Sequence, residues 1–167
     1  MQNAKDTFYE VLRSRIAAGN PERTIVVRGL IRPGVLVEEN ELVTAVTPPD
    51  CFRLRWTKAS VDAASALPVV MQECEVLYES AGSAMNGMDR GRALAAMDRE
   101  LVAAVNAIPN RAEKQNYSAL ANGGAAVAMN TNIWWSEVVL GPVQLKSDRV
   151  ARSATVMVMS LQEAGEL

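Results

Sequence analysis

The side chains that could do chemistry in this chain are carboxylates, lysines, arginines and two cysteines, and its 167 residues include no histidine. Histidine is the commonest general base and the commonest metal ligand, so its absence removes the usual Ser or Cys triad and the usual zinc site. Lysine- or carboxylate-assisted schemes stay open. For Cys51 and Cys74 we expect two buried, reduced thiols, with a disulfide between neighbouring strands as the alternative. We therefore expect no enzymatic activity, no cofactor and no metal ion.

Three glutamates lie at alternate positions of one segment and could form a metal-binding row. Glu73, Glu75 and Glu79 alternate there with apolar residues such as Val76 and Tyr78. A two-residue period is typical of a half-buried strand with its polar face in water. The pattern therefore favours a solvated strand face over a metal site.

Two further patterns are weak candidates for binding. Residues 82–87 precede a helix but hold neither a phosphate-binding lysine nor the spacing of a dinucleotide loop. Arg53 and Arg55 lie beside Phe52 and Trp56, as in a small nucleic-acid platform, but the net charge is −2. No apolar run approaches the roughly 20 residues that span a bilayer, and residues 1–10 lack a signal-peptide core. We expect no membrane partner, no specific nucleic-acid binding and a location in the cytoplasm.

The elements that must position these side chains centre on one strand followed by one helix. Val69–Ser80 alternates and is predicted to be a strand. Turn-forming residues follow, and apolar residues then recur at three- and four-residue steps, which predicts an amphipathic helix. The residues of this apolar stripe are Leu94, Met97, Leu101, Val105 and Ile108.

The rest of the chain is predicted to pack against this pair. Residues 5–18 form an amphipathic helix, with Phe8, Leu12 and Ile16 on its apolar face. Residues 32–34 read as a turn and residues 40–50 as a loop. Further strands are predicted at residues 24–28, 35–38, 51–58, 133–140 and 149–161. The predicted fold is α+β, one domain over residues 1–167 with a mainly antiparallel sheet and two helices, in the order α-β-β-β-β-α-β-β.

Two features of residues 133–161 predict that some apolar side chains lie outside the core and contact another element or another subunit. Trp134 and Trp135 are adjacent in a predicted strand, so their side chains point to opposite faces. One indole then fills the core, and the other is exposed, covered by a helix or buried by a partner. The last strand is apolar on both faces, which suggests helices on one side and another component, such as a second subunit, on the other.

Residues 110–132 have no apolar period and no turn chemistry beyond Gly123 and Gly124. About 20 residues without a clear element are unusual inside a compact domain and often mark a functional or disordered loop. We expect an irregular loop here, and the sequence leaves open whether it has a role.

The order of elements resembles that of the tail terminator (tail completion) proteins of tailed bacteriophages, over residues 5–163. The resemblance is carried by the opening helix at residues 7–16 and by the last strand at residues 154–161. It is also carried by the strand-to-helix unit, at residues 73–79, Asp89–Arg92 and Met97-Asp98. No short motif is diagnostic, so the resemblance is one of topology.

The resemblance implies a structural virion protein. Such proteins form a hexameric ring on the last ring of the tail tube, stop its polymerisation and join the tail to neck or head-completion (connector) proteins. It implies as partners further copies of the chain, the tube protein, the connector and, in a contractile tail, the sheath protein. It places subunit or tube contacts at Trp134, Trp135, Met157, Met159 and Leu161. It places axial partner contacts in the loop, at Tyr117, Leu120, Val127 and Met129.

Two other classes remain open at this point. One is a different structural component of a tail, neck or contractile injection machine, which would assemble into open-ended tubes or connectors. The other is a small-molecule-binding or enzymatic α+β domain, which would be a monomer with a deep apolar pocket.

Overall fold

The structure is a computed structural model that describes residues 1–41, 48–64, 66–82 and 88–166. Its described helices are α1 (Gln2–Gly19), α2 (Glu38–Glu41) and α3 (Asp89–Val105), with a 3₁₀ helix at Ser118–Asn122. Its described strands are β1 (Thr24–Val27), β2 (Leu30–Pro33), β3 (Val35–Val37), β4 (Phe52–Asp62), β5 (Val69–Ser80), β6 (Arg111–Asn116), β7 (Val127–Trp135), β8 (Val139–Leu145) and β9 (Val150–Leu161). The predicted α+β class, with a mainly antiparallel sheet, is confirmed.

Seven of the strands form one sheet, in the order β3-β4-β5-β9-β7-β6, and β8 also pairs with β9. Only the short β3–β4 pair among these is parallel. Strand β9 is the centre, because β5 pairs with its whole length on one side. On the other side β8 pairs with its first half and β7 with its last residues. Strands β1 and β2 form a separate hairpin.

The helices α1 and α3 pack on one face of this sheet and enclose a single main core. Phe8 of α1 lies edge-on to Trp56 and Trp135, with ring centroids 6.1 and 5.5 Å apart. From α3, Met97 and Leu101 are fully buried against the sheet. Aromatic edge-to-face pairs add about 0.5–1.5 kcal/mol to the burial of their area, so Phe8 is a principal anchor of α1.

Both predicted helices form, with small changes at their ends. The apolar stripe of α3 is as predicted as far as Val105, but Ile108 lies beyond the helix end and is 93% exposed. Arg15 of α1 holds that end, because its guanidinium donates to the carbonyls of Ala104 and Ala107 (both 3.0 Å) and Pro109 (2.6 Å). A cation on the free carbonyls at a helix C-terminus is a favourable pairing.

The predicted irregular loop at residues 110–132 is wrong. The segment forms β6, the 3₁₀ helix and most of β7, and β6 pairs with β7 from Arg111↔Trp134 to Asn116↔Val127. Strand β7 meets β9 only at residues 133–135, so its earlier part extends past the end of β9. Since that part pairs with no described strand other than β6, it needs no alternation of apolar residues, and the sequence pattern missed it.

Other boundaries also differ. Strand β4 runs to Asp62, four residues past the end predicted for it. Residues 32 and 33 belong to β2 rather than to a turn. The strand predicted at residues 133–140 ends at Trp135, and residues 139 and 140 belong to β8, whose register with β9 shifts after Leu140. The 40–50 loop and the 82–87 turn fall mostly on residues 42–47 and 83–87, outside the described residues.

Candidate interaction surfaces

The sheet face opposite the helices brings together four of the five predicted contact residues. In register, Trp134 of β7 lies beside Met159 of β9, and Met159 lies beside Met71 of β5. Met157 and Leu161 are on the same face of β9, two residues away on either side. We call Met71, Trp134, Met157, Met159 and Leu161 the apolar band. Met71 is 36% exposed and the other four are half-buried.

The fifth predicted contact residue, Trp135, lies in the core instead. Its side chain is 2% exposed, and its indole Nε1 donates to the carbonyl of Val105 at 2.9 Å. Adjacent strand residues point to opposite faces, so the burial of Trp135 is what places Trp134 on the open face.

Charged pairs border the apolar band, as expected for two of the three glutamates. Arg55 donates to Glu75 at 2.6 Å, and Lys58 lies 3.5 Å from Glu73. Thr57 also donates to Glu73, and this hydrogen bond is the main reason that the pKa of Glu73 lies below its usual value. These carboxylates neutralise neighbouring cations, so the row is a polar margin of the sheet face.

The expectation that Glu79 faces water is wrong. Glu79 is 8% exposed and accepts hydrogen bonds from Lys146 and from Arg149, the latter at 2.7 Å. Burial alone would raise its pKa, but these two hydrogen bonds outweigh it and lower the pKa. The ion pair forms part of an open pocket of about 450 Å³ at one end of the sheet, which Arg53 and Arg152 also line.

The four residues predicted to meet an axial partner lie on what we call the arm, which consists of β6, the 3₁₀ helix and β7. Leu120 and Val127 are 53% and 61% exposed. Met129 is half-buried, and so is Tyr117, where burial raises the pKa of the phenol and Thr7 of α1 is a neighbour. The arm therefore carries two exposed aliphatic side chains, but as an ordered hairpin.

A buried ion cluster, which no local sequence pattern indicates, holds the arm in place. Lys114 of β6 is fully buried and donates to Glu166 and to the carbonyl of Leu161, both at 2.6 Å. Glu163 lies 3.4 Å from the same ammonium and accepts hydrogen bonds from Asn130 and Thr131 of β7. Burial opposes ionisation of Glu163, but these bonds and the charge of Lys114 lower its pKa to about 2. The cluster ties the end of the chain to both strands of the arm.

The β1–β2 hairpin is an exposed apolar surface that sequence reasoning missed. Val26, Leu30 and Ile31 are 65%, 71% and 75% exposed. Arg28 and Gly29 form the two-residue turn with φ of +51° and +80°, as a type I′ hairpin requires. The signal was two apolar runs separated by two residues, one of them glycine.

Strand β8 is a second exposed apolar surface. Val139, Val143 and Leu145 are 67%, 46% and 83% exposed, and among the described strands β8 pairs only with β9. Its other edge leaves backbone donors and acceptors unpaired by any described strand. Pro142 is tolerated there because proline lacks the donor that an inner strand would need.

The remaining candidates for chemistry are the two cysteines and any cluster of acidic side chains. Both cysteines are free and buried, as expected, and burial raises the pKa of the Cys51 thiol to about 11. No group of three or more His, Cys, Asp or Glu side chains within the described ranges could hold a metal ion. In that same part of the chain, no helix has the length and apolar character to cross a membrane.

Known proteins give no independent assignment for these surfaces. A scan against protein-family models finds no match to this chain. A search of curated proteins likewise finds none.

Proposed function

We propose that this protein is a structural subunit of a phage virion that closes into a ring, as a hexamer, on the end of the tail tube. In this role the ring stops tube polymerisation and joins the tail to the neck or head-completion protein. The observation that carries the proposal is the apolar band on the open sheet face. Its five side chains make a continuous row across three strands in a chain whose helices already cover the other face.

An apolar face of this kind supports assembly. Exposed apolar patches bordered by polar residues mark protein interaction sites, and the glutamate–cation pairs beside Met71 and Met157 provide such a border. Aromatic residues and Met are enriched in interfaces while charged residues are depleted at their centres. The band has one tryptophan, three methionines and one leucine.

The arm supports the second half of the proposal, contact with a partner along the tail axis. It extends past the end of β9 and presents Leu120 and Val127 to solvent. The Lys114 cluster holds it in place before any partner binds, so a contact there would not need to order a loose loop. A preordered contact loses less conformational entropy on binding.

The alternatives have less support. The pocket beside Glu79 is open, and its cations already pair with Glu79, Asp98 and Glu38. Small-molecule sites are instead mostly apolar clefts with a few polar groups. A different tail or neck component could use the same surfaces for assembly. A terminator differs from it because assembly of a terminator stops at a closed ring.

The experiment is the mass of the purified protein by light scattering at two concentrations, followed by negative-stain imaging. We expect a discrete ring of about six subunits whose mass does not grow with concentration. Trp134→Ser should abolish binding to tail tubes, whereas the control Val61→Ser, at another exposed apolar position of the sheet, should not. Open-ended tubes of the protein alone would contradict a terminator. A monomer that also fails to bind tubes assembled from the tube protein of the same genome would contradict the whole proposal.

A further inference from the structure

We propose that the ring forms by a head-to-tail contact in which the β1–β2 hairpin of one subunit docks on strand β8 of a second copy. The inference rests on the proposed function, because it names the subunit contact that would close the ring. It uses neither the apolar band nor the arm, which stay available for the tube and the axial partner.

The two surfaces lie at opposite edges of the sheet. The hairpin is attached at the β3 edge, where Ile25 packs with Leu36 and Cys51. Strand β8 lies beyond β9, so the strands in between are β4, β5 and β9. Four inter-strand steps of about 4.8 Å separate β3 from β8 by roughly 19 Å along the sheet. The apolar side chains of both surfaces are exposed within one subunit, so neither surface covers the other.

The two surfaces are similar in apolar content and in backbone chemistry. Each presents three exposed aliphatic side chains. On the hairpin, Val26 and Ile31 share one face and Leu30 lies on the other. On β8, Val143 and Leu145 share one face and Val139 lies on the other. Strand β8 also has an edge that no described strand pairs, and an exposed edge is a template for pairing with another chain. Docking a hairpin there would bury apolar side chains and complete backbone hydrogen bonds together.

Their charges are complementary. Residues 24–33 contain two arginines and no acid, whereas residues 136–145 contain one glutamate and no base. Arg28 at the tip of the hairpin and Glu137 just before β8 are both exposed, and neither side chain makes an ion pair with another described residue. With β2 parallel to β8 and Arg28 beside Glu137, Leu30 would lie opposite Val139 and Ile31 opposite Leu140. Ile31 and Val139 would then be one residue apart along the contact, within reach of a short cross-linker.

A contact between two different patches is heterologous, so it repeats from subunit to subunit. It closes into a ring when the rotation between subunits divides a full turn, and otherwise gives an open filament. Contact of a patch with its own copy would instead stop at a dimer. A head-to-tail contact therefore cross-links two different variants, whereas a symmetric contact cross-links one variant with itself.

The test uses single-cysteine variants and a short bis-maleimide, since both native thiols are buried. Mixing Ile31→Cys with Val139→Cys should give a cross-linked dimer, and neither variant alone should. The double variant should give a ladder of multimers that ends at one closed species. Val61→Cys mixed with Ile31→Cys is the control, because Val61 is 49% exposed on β4 and belongs to neither surface.

Charge reversal provides a second readout on the same mixture. Arg28→Glu or Glu137→Arg alone should lower the yield of cross-linked dimer roughly threefold to tenfold at low salt, and the two together should restore it. A mixture that cross-links no better than the control overturns the proposal. So does efficient cross-linking of either single variant with itself.

The outcome separates this contact from the proposed function. Rings of the unmodified protein without the Ile31–Val139 cross-link would mean that the ring closes through another surface, and only the contact would be wrong. A cross-linked ladder that grows into open filaments would keep the contact and refute the terminator.

Discussion

Lys114 gives the sharpest stability prediction, because the chain contains a matched lysine for comparison. Lys114 and Lys58 both lie on strands and face glutamates, but the Lys114 side chain is 0% exposed and that of Lys58 is 78% exposed. Replacing each by methionine removes the charge and keeps most of the aliphatic stem. The two variants therefore differ mainly in burial.

Lys114→Met should lower the free energy of unfolding by about 3–5 kcal/mol, the usual cost of removing one partner of a buried ion pair. It would leave Glu166, whose side chain is 4% exposed, without its ammonium donor, and the Leu161 carbonyl would lose the same donor. Lys58→Met should change the same quantity by less than about 1 kcal/mol, as for exposed pairs. For a chain of this size the first value corresponds to a fall in Tm of roughly 6–20 °C.

The assay is urea unfolding at neutral pH, followed by tryptophan fluorescence and by far-UV circular dichroism so that two-state behaviour can be checked. The double variant Lys114→Met/Glu166→Gln should recover part of the lost free energy of unfolding, because the second change removes the carboxylate that lost its ammonium donor. If Lys114→Met costs no more than Lys58→Met, the ion cluster does not hold the arm and the reasoning fails.

Three further predictions use other parts of the fold. Since the folded pKa of Glu163 is about 2 and its unfolded value is 4.5, the unfolded state binds more protons between these values. Stability should therefore fall as pH drops from about 5 to 2, and Glu163→Gln should make that slope shallower in acid titrations of unfolding; an unchanged slope would contradict the cluster. Trp135→Ala should lower the free energy of unfolding in urea by about 3–5 kcal/mol, because it truncates a core side chain. Trp134→Ala should lower it by less than half as much. Equal losses would mean that the two indoles are assigned to the wrong faces. Gly141→Ala should destabilise the protein by about 1–3 kcal/mol, because its Cβ would lie 2.8 Å from the Ser153 carbonyl oxygen. Gly91→Ala in α3, where a Cβ meets nothing within 4 Å, should stabilise it by up to about 1 kcal/mol. Thermal melts of both variants test this, and a Tm of Gly141→Ala above that of Gly91→Ala would contradict it.

The parts of the fold that the sequence predicted are those in which local periodicity and burial coincide. Val69–Ser80 alternates and lies inside the sheet, so its predicted bounds match β5. The stripes of α1 and α3 face the core for the same reason. The adjacency of Trp134 and Trp135 also predicted correctly that the two indoles divide between core and surface, although it could not say which does which.

The rest depends on contacts between residues far apart in the chain. Glu79 follows the alternation of a solvated row, but Lys146 and Arg149, about 70 residues later, cover it. The arm lacks an apolar period because Lys114 stabilises it through Leu161 and Glu166, 47 and 52 residues away. No local pattern contains such pairs. The β1–β2 hairpin differs, since its two-residue turn was visible in the sequence.

The most direct test of the proposed function is the length of tail tubes grown with and without the protein. Tube protein from the same genome would be polymerised alone, with this protein, and with its Trp134→Ser variant, and the tubes would be measured by electron microscopy. We expect that the protein yields shorter tubes with a ring at one end and that the variant leaves the length and the ends of the tubes unchanged. Tubes that grow to the same length with bare ends in all three mixtures would contradict it.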